Sequence, residues 1–62
     1  MTLTTAPNIP DPDGFYADLL TAHTGLNQPD SQALNARLVL VLANHIGDRA
    51  VLQAALILAR GK

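Results

Sequence analysis

LNARLVLVLANHIGD, residues 34–48, is the stretch on which the fold turns. Wound at about 100° per residue, it sets Leu34, Leu38, Val41, Leu42 and His45 on one stripe, the spacing of a core-facing helical seam. Ala36, Val39, Leu40 and Ala43 form a second seam on the other side, separated from the first only by Asn35, Asn44 and Arg37. A helix that is apolar almost all round is ordinarily enclosed by protein, and two neighbouring helices do not easily cover both sides. Ala36 and Ala43 are small enough to admit another backbone. The back seam is therefore expected to meet a second chain, and a Leu40→Asp change to abolish that association.

Working outward, Gly47 is expected to stop this helix in the left-handed conformation, with Asp48 capping the next one. The third helix spans about 49–60. It sets Leu52, Ala55, Leu56 and Ala59 on one face, widened by Val51, Ala54 and Leu58, with Ile57 beyond and a narrow polar strip of Arg49, Gln53 and Arg60. Arg60 and Lys62 give its end a basic character suited to the negative pole of the helix. On the N-terminal side, Asn27 and Asp30 resemble a capping pair, and Pro29 is tolerated in the first turn of a helix over about 29–46. Asp11-Pro12-Asp13 signals an earlier start, for a helix over about 12–23 that ends at Gly25. That helix carries Phe15, Leu19 and Ala22 beside Tyr16, Leu20 and His23. Residues 1–10 contain two prolines and no periodicity. They read as an extended or disordered arm, from which Leu3 and Ile9 would reach a partner's groove. The expectation is an all-α, oligomeric protein: an arm over 1–10 and one three-helix domain over 11–62.

Composition narrows the function. A chain of 62 residues buries only about 60% of its unfolded surface, and cores of this size supply roughly 3–5 kcal/mol unless disulfides, metals or oligomerisation add to them. With no cysteine, disulfides and thiolate sites drop out, which leaves self-association or docking and fits a reducing, cytoplasmic setting. Four basic against five acidic residues, all of the latter Asp, give a net charge of −1. That is no footprint for nucleic acid or anionic membrane. No apolar run is long enough to span a membrane, and the start of the chain lacks signal-peptide character.

The candidate chemistry is sparse. His45 lies on the front seam, three residues before Asp48. A minimal enzyme built on His45, Tyr16 and Asp48 is conceivable, but no serine or cysteine nucleophile stands near, and a histidine in a last helical turn ordinarily serves the free carbonyls and the dipole. His23 reads in the same way. A metal site from His23, His45 and Asp48 has no pair of ligands at i and i+4, so neither a metal nor a cofactor is expected. Arg37 is expected to pair with Asp30 or Asp18, or to anchor an interface. Asn35 and Asn44 would set register across a seam. The tight turn at Gly47-Asp48 permits a helix-turn-helix reading, as a nucleic-acid accessory protein, but only Arg49, Gln53 and Arg60 would enter the groove.

PNIPDPDGFYADLLTAH, LNARL, LANHIGD and VLQAAL together resemble a family of very short bacterial proteins, domain of unknown function 2783, over about residues 7–59. The chain departs from that pattern at Asn27-Gln28-Pro29, where acidic residues usually follow a serine cap; the departure bears only on cap geometry. The resemblance implies a neighbour of flavin-dependent aromatic-ring hydroxylases in aromatic-acid degradation. It extends to the small coupling components of two-part 3-hydroxyphenylacetate hydroxylases. No catalytic residue comes with it. The reading is of a non-catalytic interaction protein, a homodimer or the coupling subunit of a flavoprotein hydroxylase, using Ala36, Val39, Leu40, Ala43, Val51, Leu58 and Ile57 as interface. Asp11, Gly25, Arg37, His45, Gly47 and Asp48 would be structural.

Overall fold

A computed structural model describes residues 1–61. The chain is all-α, as the periodicity indicates: α1 spans Pro12–His23, α2 Gln28–Ile46 and α3 Arg49–Arg60, with no strand among the described residues. Lys62, read with Arg60 as a basic helix end, lies outside the described residues. Residues 1–11 form no regular element, and Leu3 is half-buried against the chain itself.

Each helix begins on a side-chain cap that satisfies amides with no partner inside the helix. The Asp11 carboxylate accepts from Gly14 N–H at 3.1 Å. Asn27 Oδ1 accepts from Asp30 N–H at 3.0 Å, so asparagine supplies the cap of α2. Asp48 Oδ1 accepts twice, from Ala50 N–H at 3.0 Å and Val51 N–H at 3.2 Å.

The helix ends differ from one another. Gly47 sits at φ 68°, ψ 6°, its N–H donating to Ala43 O at 2.9 Å. This left-handed residue reverses the chain between α2 and α3 with no Cβ to clash. Gly25 is also left-handed, at φ 80°, but it does not stand directly after α1. Thr24 at φ −59°, ψ 130° comes first, and Leu26 N–H donates to His23 O at 3.2 Å. Thr24 and Gly25 thus form the centre of a type II turn, whose third position needs positive φ.

Packing is thinner than the seams imply. Val51, at 6% exposure, is the one buried residue among those described. Of the expected front seam, Leu34 and Leu38 are half-buried, whereas Val41, Leu42 and His45 are exposed. On α1, Leu19 and His23 are half-buried while Phe15, Tyr16 and Leu20 are exposed; on α3, Leu52, Ala54 and Ala55 are half-buried, but Leu56 to Ala59 project freely. Burial therefore concentrates where α1 meets the first half of α2 and where α3 leaves the turn. The radius of gyration is 13.3 Å, against about 10.5 Å for a compact chain of this length.

The cap of α3 also holds Val51 in place, so its loss should register on the whole domain. Asp48→Ala should lower unfolding free energy by about 1–2 kcal/mol in urea titrations, while Asp48→Asn, which still caps, should stay within about 0.5 kcal/mol of wild type.

Candidate functional site

The most conspicuous feature is a groove of about 440 Å³ between α2 and α3. From α2 come Val39, Leu42, Ala43 and Ile46; from α3 come Leu52, Ala55, Leu56 and Ala59. Every lining residue is aliphatic. The α2 residues step by i, i+3, i+4 and i+7 and so share one helical face; the α3 residues repeat the same steps. The Gly47 turn places the two faces side by side.

This geometry redistributes the residues expected at an interface. Val39 and Ala43 line the groove. Leu42, assigned by the sequence to an internal core, lies beside them. Leu40, Ile57 and Leu58, at 69%, 68% and 62% exposure, lie outside it, as does the exposed Ala36. Val51 is a correction: at 6% exposure it is buried in the chain's own interior and is not available to a partner. The core role of Val41, Leu42 and His45 is corrected as well: all three are exposed, and Leu42 faces the open groove beside α3.

The polar candidates separate. His45 is exposed in the last turn of α2, and the Asp48 carboxylate is occupied by the α3 cap. Tyr16 is 60% exposed on α1. No three His, Cys, Asp or Glu residues among those described come together as metal ligands. Arg37 is exposed, and the side-chain bonds that join α1 to α2 are not its own.

They belong to His23. Its Nε2 stands 3.1 Å from Asn35 Oδ1 and its Nδ1 2.9 Å from Ser31 Oγ. The tautomer that satisfies both has Nε2–H donating to the asparagine and Nδ1 accepting the serine hydroxyl proton. The imidazole is thus a clamp between helices, where the sequence had it serving the α1 terminus. The signal was present: Ser31 and Asn35 are four residues apart and stack on one face of α2. Asn35, expected at an intermolecular seam, is used inside the chain.

Among the described residues no helix is long and apolar enough to cross a membrane. Searches of curated proteins and of solved structures find no match for the chain.

Two cross-helix bonds contribute about 1–3 kcal/mol together. His23→Ala should therefore release α1 selectively. Native-state hydrogen exchange should speed up in the amides of residues 17–23 by about tenfold or more, with those of α3 little changed.

The aliphatic seams on two helices, the capped turn at Gly47-Asp48 and all three helices lie within residues 3–61, the span matched by the model of a protein family of unknown function, DUF2783; the chain belongs to this family.

Proposed function

We propose that this chain is a non-catalytic helical module that works by association, as a cytoplasmic homodimer with surface left over for a larger protein. The observation that carries the reading is the exposed area. The chain exposes 5481 Å², whereas a compact monomer of 6.5 kDa exposes about 3,800 Å². Part of the excess belongs to the N-terminal arm. The remainder includes Val39, Leu40, Val41, Leu42 and Ile46 of α2 and Leu56, Ile57 and Leu58 of α3, all exposed large aliphatics. Soluble monomers rarely present a contiguous apolar patch beyond a few hundred Å², and obligate homodimers cover on the order of 1,000 Å² or more per subunit. The disagreement between pattern and burial is thus what association would resolve.

Other functions find less support. A nucleic-acid role would rest on α3, whose outward surface is mainly Leu56, Ile57 and Leu58 and which carries only Arg49 and Arg60 as charges. An enzyme on His45 would need Asp48, which the cap already engages. The larger partner in this proposal is a flavin-dependent aromatic-ring hydroxylase, on the strength of the family likeness alone.

Sedimentation equilibrium of the full chain from micromolar to millimolar concentration should give a dimer. Adding a flavoprotein hydroxylase from the same cell should produce a larger co-sedimenting complex. A helical, cooperatively unfolding species that stays monomeric throughout, with and without the flavoprotein, would overturn the proposal.

A further inference from the structure

Along α2, Val39, Leu42 and Ile46 are separated by three and then four residues; along α3, Leu52, Ala55 and Ala59 repeat that interval. This is the a–d–a step of knobs-into-holes helix packing. Two short heptad arrays, running in opposite directions from the Gly47 turn, therefore share one groove. A small-molecule pocket of this volume ordinarily carries a few convergent polar groups. This one is lined by aliphatic residues alone, which favours helices over a ligand.

We propose that the groove is the self-association seam: the α2–α3 hairpin of a second copy seats on it about a two-fold axis, making a four-helix bundle. The inference rests on the association reading above and adds its surface. Three observations commit the groove to a second copy. The large side chains of the groove, Val39, Leu42, Ile46 and Leu56, are left 40–68% exposed by the single chain, an apolar patch that a two-fold contact would cover. The lining alternates large Leu42, Ile46 and Leu56 with small Ala43, Ala55 and Ala59, so ridges on one copy meet hollows on the other. The lining holds no charge, and a two-fold contact, which sets each patch against itself, opposes no like charges. Leu40, Ile57 and Leu58 stay outside this seam, so the surface for a larger protein is a separate one.

Leu56 and Ile57 provide a matched test, being consecutive on α3 and each 68% exposed in the single chain, with only Leu56 in the groove. Neither change to glutamate removes much burial within the chain, but Leu56→Glu places two charges in a two-fold seam. Leu56→Glu should raise the dimer dissociation constant by about a hundredfold or more, and Ile57→Glu by no more than about threefold, with helicity checked by circular dichroism. Should Leu56→Glu fail to fold, single Ala43→Cys and Ala55→Cys variants of this cysteine-free chain read the same surface. Their alkylation should slow in step with dimer formation, while that of Leu58→Cys should not. A wild-type dimer that persists in Leu56→Glu, that is lost equally in Ile57→Glu, or whose groove thiols react at a rate independent of concentration overturns the seam and leaves the association reading standing. A wild type that is monomeric at every concentration overturns both.

Discussion

The structure depends on a mismatch of lengths. At 1.5 Å per residue, the 19-residue α2 is about 28 Å long, and each 12-residue neighbour about 18 Å. Neither α1 nor α3 can follow α2 from end to end, and each is tethered at an opposite end of it. The Thr24-Gly25 turn sets α1 against the first half of α2, and the Gly47 turn folds α3 back from the last residues. Along the second half of α2, α3 leaves an open groove rather than a closed contact, and Val39, Val41 and Leu42 stay exposed.

Its two junctions use different physics. The α1–α2 contact is polar: His23 fills both of its hydrogen-bonding positions with Ser31 and Asn35, while Leu19, Leu34 and Leu38 on the same two helices are half-buried. After the Gly47 turn the buried group is apolar: Val51, whose N–H donates to the Asp48 cap that begins its helix. Directional bonds can hold a helix in register with little buried area, whereas apolar burial scales with area. The chain thus holds its shape with a small interior and leaves its aliphatic surface available.

That division fits an association role better than a chemical one. The polar groups that invite a catalytic or metal-binding reading are engaged in capping or clamping, as with Asp48 and His23, or stand exposed, as with His45 and Tyr16. The unengaged resource of the molecule is its aliphatic surface, to which α2 and α3 both contribute.

By itself the chain of residues determined the helices and their boundaries, because propensity, proline and glycine placement and side-chain caps act within four or five residues. Asp11, Asn27, Gly47 and Asp48 are all signals of that range. It also made plain that the apolar pattern exceeds what a monomer can hide. Only the tertiary structure decided which seam is covered, since that depends on where two short helices reach along a longer one. It moved Leu42 from an internal core to an open groove and Val51 from an interface to the interior. His23 it turned from a helix-terminal group into the bond between α1 and α2, a contact across a turn whose geometry no local pattern specifies.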